Sequence, residues 1–144
     1  LDALAASARI RRRAHGEQPA LTDRLYLADT LGELDDFYAH ASGVFVGGSL
    51  IERGGHNVLE PARHGCAVAV GRHTTNFREP IELLRAANAI SECADATAVV
   101  HFLERALQDD ALLQAQGKRA RTAAESVVGI VERYLDCLGF TATR

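Results

Sequence analysis

The sequence predicts an α/β protein whose Rossmann-like parallel sheet is covered by helices on both faces. Four short segments are apolar, except for Ser91 at the end of the last one, as strands are when both faces of their sheet are buried. They are residues 25–28, 44–46, 67–71 and 89–91. Segments with apolar residues at helical spacing separate them, and an alternation of strands and helices is typical of a parallel sheet.

The composition is that of one globular domain and argues against several classes of protein. Hydrophobic residues make up 47% of the 144-residue chain, and charged residues 24%. No stretch approaches the roughly 18 consecutive apolar residues of a membrane span. The net charge of -3 argues against a nucleic-acid partner bound through a basic surface. Cys66, Cys93 and Cys137 predict free thiols in a reducing compartment, and the scattered histidines predict no metal site.

The start of the chain predicts a sheet that is truncated at its N-terminal edge. Residues 1–7 are predicted to end a helix, and residues 9–13 to form an edge strand whose arginines face solvent. No strand precedes that helix, the first residue is Leu1, and the chain contains no Met. We therefore expect a single domain over residues 1–144 that is a fragment of a longer protein.

The helices are predicted from their capping residues. Thr30 and Glu33 match a capping box, which predicts a helix beginning near Leu31. Gly65 is a typical C-terminal cap for a helix over residues 56–64. Further helices are predicted over residues 76–87 and over residues 111–138, the second of them with a bend at Gly117. Another helix is predicted to begin after an N-cap at Asp95 or Thr97.

Two loops of this fold reach the carboxyl ends of the strands, where parallel α/β sheets bind ligands. They are residues 29–33 and 47–60, and each leads into a predicted helix N-terminus. Unpaired N–H groups and the helix dipole favour an anion there, phosphate best of all. Gly32 has no Cβ, so a ligand can approach its backbone closely. The alternative is that Gly32 is incidental and the capping box only starts a helix.

The second loop carries the more specific pattern. Asn57 and Glu60 are three residues apart and share one face of the first helical turn. A carboxylate at Glu60 can accept both hydroxyls of a vicinal diol such as ribose. The alternative is that Glu60 only complements the helix dipole.

Other polar residues of these loops leave alternatives open. His56 is a base, a phosphate donor or a simple loop histidine, and Arg72 and His73 either contact an anion or face solvent. No glycosidase-type carboxylate pair, nucleophile elbow or P-loop is present in the sequence. The residues alone therefore predict a nucleotide- or phosphate-binding half-domain with no evident base of its own.

Four blocks of the sequence resemble a known family. They are LADTLGEL at 27–34, FVGGSL at 45–50, RGGHNVLEPA at 53–62, and GRH with the following NF at 71–77. In this order they resemble the C-terminal half of 3-deoxy-D-manno-octulosonic acid (Kdo) transferases, which are GT-B glycosyltransferases of lipopolysaccharide synthesis. The resemblance covers nearly the whole chain, and its third block is the most specific.

The resemblance implies a donor-binding domain. The family transfers Kdo from CMP-Kdo to a lipid A precursor at the cytoplasmic face of the bacterial inner membrane, with no metal or other cofactor. The catalytic base and the acceptor site belong to the family's N-terminal domain, so no catalytic residue is assigned in this chain. The implied partners are CMP-Kdo and, through that other domain, the lipid A precursor. The full-length enzyme is expected to be membrane-associated and to bind no nucleic acid.

The resemblance also implies which residues bind the nucleotide. The family's CMP contacts correspond to Leu31, Gly32, Glu33, Asn57, Val58, Leu59 and Glu60. Further candidates in the neighbouring loops are Gly48, Ser49, His56 and Asn76. The family usually has Met at Leu31, Pro at Val58 and Pro at Arg72, and we expect Leu31 and Val58 to act through backbone atoms. The alternatives are another GT-B enzyme that uses a UDP- or GDP-sugar, and a non-catalytic nucleotide-binding module.

Overall fold

The computed structural model describes residues 10–108 and 110–137. The helix predicted over residues 1–7, residue Leu138 and the Cys137 side chain lie outside the described part. The chain divides into two compact units, an N-terminal unit that ends at Leu34 and a C-terminal unit that begins at Asp35.

The N-terminal unit contains a two-stranded parallel sheet. Strand β1 (Arg11–Arg12) pairs with β2 (Tyr26–Leu27), with Arg11 opposite Tyr26. A short 3-10 turn, Arg13–His15, follows β1 and ends at Gly16. Both strands lie where the sequence predicted them, and residues 16–23 form part of the loop between them.

The C-terminal unit contains a three-stranded parallel sheet in the order β3, β4, β5. Its strands are β3 (Gly43–Phe45), β4 (Ala67–Val70) and β5 (Ile90–Glu92). All four residues of the central strand β4 are buried, which is why its sequence is apolar throughout.

Five helices are assigned among the described residues. They are α1 (Leu34–Tyr38), α2 (Leu59–Arg63), α3 (Arg78–Ala86), α4 (Ala96–Leu107) and α5 (Ala111–Cys137). A 3-10 turn, Thr75–Phe77, precedes α3. Of the two candidate caps for α4, Asp95 is the correct one, since its carboxylate accepts a hydrogen bond from the Ala98 N–H at 2.9 Å. In these residues no helix has the length and apolar character needed to cross a bilayer.

Side chains from the two faces of β4 enter two separate cores, because successive residues of a strand point in opposite directions. Val68 and Val70 pack with residues of α2, α3 and α5, which include Ala62, Leu84 and Ala120. Ala67 and Ala69 pack with Phe102 and Ala106 of α4 and with Leu113 of α5. Helices therefore cover both faces of the sheet, and the predicted Rossmann-like α/β fold is confirmed.

The cysteines with described side chains fit the sequence-based expectation. Cys66 and Cys93 are free and buried. Burial is the main reason that the pKa of each thiol is raised, which keeps it in the neutral form.

The predicted start of α1 is wrong. This helix begins at Leu34, three residues after the predicted start at Leu31. Gly32 has a φ of 84°, in the left-handed region, so regular helical geometry cannot run through it. The Thr30 hydroxyl donates to the Glu33 carboxylate, so these two side chains bond to each other. Helix α2 also begins later than predicted, at Leu59, although Gly65 follows its end in the expected left-handed conformation.

Candidate functional site

A buried serine joins the carboxyl ends of strands β3 and β4. The Ser49 side chain is fully buried, and its Oγ donates to the Val46 carbonyl at 2.5 Å and accepts from the Gly71 N–H at 2.8 Å. The His73 N–H donates to the Ser49 carbonyl at 2.9 Å. A Cβ at Gly71 would lie 2.2 Å from the Ser49 carbonyl oxygen, so this approach requires glycine. The two loops that leave these strands are thus held together.

Asn57 and Glu60 form a hydrogen-bonded pair at the start of α2. The Asn57 Oδ1 accepts from the Leu59 N–H at 3.0 Å, and its Nδ2 donates to the Glu60 Oε1 at 3.0 Å. The Glu60 side chain is half-buried, whereas the Val58 side chain is 1% exposed and packs in the core. Core packing thus fixes the start of the helix, and Asn57 fixes the direction of the carboxylate.

Tyr38 of α1 lies beside His64, the residue that follows α2. Its ring centroid lies 6.0 Å from that of His64, and its carbonyl accepts a hydrogen bond from Cys66 Sγ at 3.2 Å. His64 follows Glu60 by four residues, so the two side chains project on the same side of α2. Burial, and after it the charge of Glu60, raises the pKa of Tyr38 above its ordinary value.

A polar cavity of about 430 Å³ opens beside the same loops, and we call it the loop cavity. It is lined by Glu52, Arg53, Gly54, His73, Thr75 and Asn76. The Asn76 N–H donates to the Gly54 carbonyl at 3.3 Å, and its Nδ2 donates to the Arg53 carbonyl at 3.4 Å. Gly54 has a φ of 80°, and a Cβ there would lie within 2.3 Å of the Asn76 side chain. The cavity wall is therefore set by backbone geometry that glycine permits.

His56 lies between the loop cavity and the Asn57–Glu60 pair in the chain. Its side chain is exposed, and a Cβ at Gly48 would lie 3.4 Å from its ring. The Gly55 N–H donates to the Gly48 carbonyl at 3.1 Å, which closes the loop below the imidazole. Among the described residues, no group of three or more His, Cys, Asp and Glu side chains is placed to hold a metal ion.

The residues of the first predicted loop lie in the N-terminal unit. Leu31 is almost fully exposed, and there is open space where a Cβ of Gly32 would be. The Arg13 Nη2 bonds to the Glu33 Oε1 at 2.6 Å. This contact and the Thr30 hydroxyl lower the pKa of Glu33 to about 2.

A second arginine acts in the same unit. The Arg12 Nη2 bonds to the Asp29 Oδ2 at 2.6 Å, and the Ala14 N–H donates to the Asp29 Oδ1 at 2.9 Å. The Ala14 contact, followed by Arg12, lowers the pKa of Asp29. The prediction that these arginines face solvent is wrong for two of them, because Arg12 holds Asp29 and Arg13 holds Glu33, at the two ends of the loop of residues 29–33.

The helix N-termini contribute less than the sequence predicted. Helices α1 and α2 have five residues each, little more than one turn. The helix dipole is a sum over aligned peptide units, so such short helices provide a weak one. Individual side chains and exposed backbone groups must therefore carry most of any ligand contact.

The comparisons with known proteins relate the chain to one family of enzymes. No protein-family model matches the chain. It is 35% identical over 128 residues to the 3-deoxy-D-manno-octulosonic acid transferase of Bordetella pertussis, which covers 89% of this chain and 30% of that protein. It is 36% identical over 133 residues to the Haemophilus influenzae protein of the same name, and this match covers 88% of this chain and 30% of that protein. The chain belongs to the Kdo transferase family. It spans 30% of the length of these relatives.

A solved structure relates the chain to one part of a Kdo transferase. The fold matches the C-terminal CMP-Kdo binding domain of WaaA from Acinetobacter baumannii with a TM-score of 0.76 and 30% sequence identity. The match covers 85% of this chain and 65% of that one. The similarity is therefore to the C-terminal domain of the family, as the sequence blocks predicted.

The positions that the Kdo transferase resemblance assigned to CMP fall into two sets. Leu31, Gly32 and Glu33 lie in the N-terminal unit. Residues 57–60 form the start of α2 in the C-terminal unit, where Val58 and Leu59 pack against the core and Asn57 and Glu60 bond to each other. Of the further candidates, Ser49 has a fully buried side chain, so it can act on a ligand only through the loops that it holds.

Proposed function

We propose that this chain is the donor-binding domain of a Kdo transferase and that it binds CMP-Kdo at the start of α2. The observation that carries the proposal is the Asn57–Glu60 pair, a carboxylate held in place at the carboxyl edge of a parallel sheet. In this fold class ligands bind at that edge. The family membership and the similarity to a CMP-Kdo binding domain support the same choice of ligand.

The chemistry of the pair suits the ribose of a nucleotide. A carboxylate has about four acceptor positions, and Asn57 occupies one of them on Oε1. The remaining positions can accept both hydroxyls of the ribose. Because Asn57 already fixes the carboxylate, less side-chain freedom is lost when the ligand binds.

The complete enzyme would transfer Kdo from CMP-Kdo to a lipid A precursor at the cytoplasmic face of the inner membrane. An acceptor hydroxyl attacks the anomeric carbon of Kdo, and the bond from that carbon to the phosphate oxygen breaks. CMP leaves with the electron pair, and a base in the enzyme's other domain takes the hydroxyl proton. The proposal includes no metal or other cofactor and no nucleic-acid partner. The role of this chain is to hold CMP while charge builds on its phosphate.

Nucleotide titrations monitored by NMR test the proposal. We expect CMP to bind with a Kd near 1 mM, about -4 kcal/mol, and UMP and GMP to bind more weakly. Equal or tighter binding of UMP or GMP would favour a transferase that uses a UDP- or GDP-sugar. No binding of any of the three would contradict a donor-binding role.

A substitution tests the residue that carries the proposal. Glu60→Gln removes the charge of the side chain but keeps its shape. We expect it to weaken CMP binding about tenfold or more, because hydrogen bonds to charged groups contribute about 1.5–3 kcal/mol. Glu79→Gln is the matched control, since Glu79 is an exposed glutamate in the first turn of α3. Loss of stability in Glu60→Gln with unchanged CMP binding would assign Glu60 to the helix alone.

A further inference from the structure

The loop cavity contains cationic and hydrogen-bonding groups that CMP recognition by Asn57 and Glu60 does not use. Of its lining residues, Arg53 and His73 have side chains with nitrogen donors, and Thr75 and Asn76 have a hydroxyl and an amide. Glu52 is the acidic group of the lining. The volume of about 430 Å³ lies within the range of roughly 300–1,000 Å³ that is usual for small-molecule sites.

The Arg53 guanidinium differs from most of the other arginines that the structure describes. Six arginines form ion pairs with carboxylates, namely Arg11, Arg12, Arg13, Arg85, Arg105 and Arg121. Within residues 10–108 and 110–137, neither Arg53 nor Glu52 takes part in an ion pair. Arg53 therefore presents a planar set of donors, which match a carboxylate in a two-point contact, at a polar cavity.

The distance along the chain allows one ligand to reach both places. Gly54 lines the loop cavity and Asn57 belongs to the proposed nucleotide contact, and they are three residues apart. An extended chain rises at most about 3.6 Å per residue, so their Cα atoms are within about 11 Å of each other. A nucleotide with a sugar attached through its phosphate can span such a distance.

We infer that the loop cavity binds the sugar of the donor and that Arg53 recognises the carboxylate of this sugar acid. The inference rests on the proposed function, because it assigns the second half of the same ligand. His73 and Asn76 add hydrogen-bond donors, and Glu52 accepts hydroxyls of the sugar. This arrangement selects for a nucleotide linked to an acidic sugar, since a neutral sugar would leave the charge of Arg53 without a partner.

The test compares the affinities for CMP-Kdo and for CMP, measured by NMR titration on the same protein. We expect the chain to bind CMP-Kdo about tenfold more tightly than CMP. Arg53→Gln should abolish this difference and leave CMP binding unchanged, because the nucleotide contacts remain. The melting temperature should not change, since Arg53 is exposed.

Arg121→Gln provides the matched control. Arg121 is an exposed arginine of α5 beside Gly65, which precedes the amino end of β4 and so lies at the opposite edge of the sheet. This control should keep the difference between the two ligands.

The outcomes separate this inference from the proposed function. If Arg53→Gln weakens CMP and CMP-Kdo by the same factor, Arg53 binds the phosphate and the inference is wrong. If Arg53→Gln leaves the tenfold difference intact, or the unmodified chain shows no such difference, the sugar carboxylate is not recognised here. In both cases CMP still binds and the proposed function stands. If the unmodified chain binds neither ligand, the proposed function fails and the inference with it.

Discussion

At each end of strand β4 a glycine lies against a backbone carbonyl, but the surroundings of the two glycines differ. At the amino end, a Cβ at Gly117 of α5 would lie 2.0 Å from the Gly65 carbonyl oxygen. At the carboxyl end, a Cβ at Gly71 would lie 2.2 Å from the Ser49 carbonyl oxygen. Both approaches need glycine, because any side chain would meet backbone atoms.

The difference lies in what surrounds each glycine. Gly117 is followed on its helix by Ala120, Ala123 and Ala124, small core residues that let α5 lie close to the sheet. Gly71 is followed by the polar loop that contains His73 and by the loop cavity. The amino end of β4 is thus packed by small apolar residues, whereas the carboxyl end positions polar groups where we propose that the donor binds.

The largest expected effect is at the amino end. Gly117→Ala should lower the free energy of unfolding by about 3 kcal/mol, the upper part of the range for overpacked cores, because the opposing atom belongs to the backbone. Urea denaturation measures the change. Gly47→Ala is the control, since nothing lies within 4 Å of a Cβ there. CMP affinity of the folded protein should stay unchanged in Gly117→Ala, and a selective loss of CMP binding would contradict the division between the two ends.

A smaller loss of stability is expected at the carboxyl end, together with a loss of binding. Gly71→Ala should cost about 1–2 kcal/mol, because the facing residues belong to a loop that can move. That movement would break the Ser49 hydrogen bonds and displace the loop that leads to Asn57. We expect CMP affinity to fall about tenfold in an NMR titration. Unchanged affinity in a destabilised variant would show that the Ser49–Gly71 contact has no part in positioning the site.

The smallest effect concerns the half-buried ion pair of Arg13 and Glu33 in the N-terminal unit. Arg13 and Thr30 lower the pKa of Glu33 from 4.5 to about 2. The folded-state value lies below the unfolded one, so the stabilisation is complete above pH 4.5 and is lost as the pH falls toward 2. Arg13→Gln should raise the pKa of Glu33, as followed by NMR of its side-chain carboxyl carbon. A pKa that stays near 2 in this variant would assign the shift to Thr30.

The features that the sequence predicted correctly come from short-range patterns. The run of apolar residues at 67–70 predicted the buried central strand, since each residue reports its own burial. The spacing of Asn57 and Glu60 predicted that they share one face, because three residues make nearly one helical turn, and the two side chains bond to each other. Asp95 was one of two predicted caps, and only geometry distinguished it from Thr97.

The features that the sequence did not predict depend on distant pairs or on backbone conformation. Arg12 and Asp29 are 17 residues apart, and Ser49 and Gly71 are 22 apart, so no periodicity connects them. The start of α1 was misplaced because Gly32 takes a left-handed φ that the capping-box pattern does not reveal. The missing Cβ of Gly117 makes room for the Gly65 carbonyl, a tertiary contact that the local sequence does not encode.

The most direct test of the central claim is a map of backbone amide chemical shifts during titration with CMP. The claim predicts saturable shifts of Asn57 and Glu60 at the start of α2, and smaller shifts of Gly71 at the carboxyl end of β4. The amides of Gly65 and Gly117 at the amino end should not move. Shifts confined to Gly65 and Gly117, with Asn57 and Glu60 unchanged at saturation, would contradict the claim that the carboxyl edge binds the nucleotide.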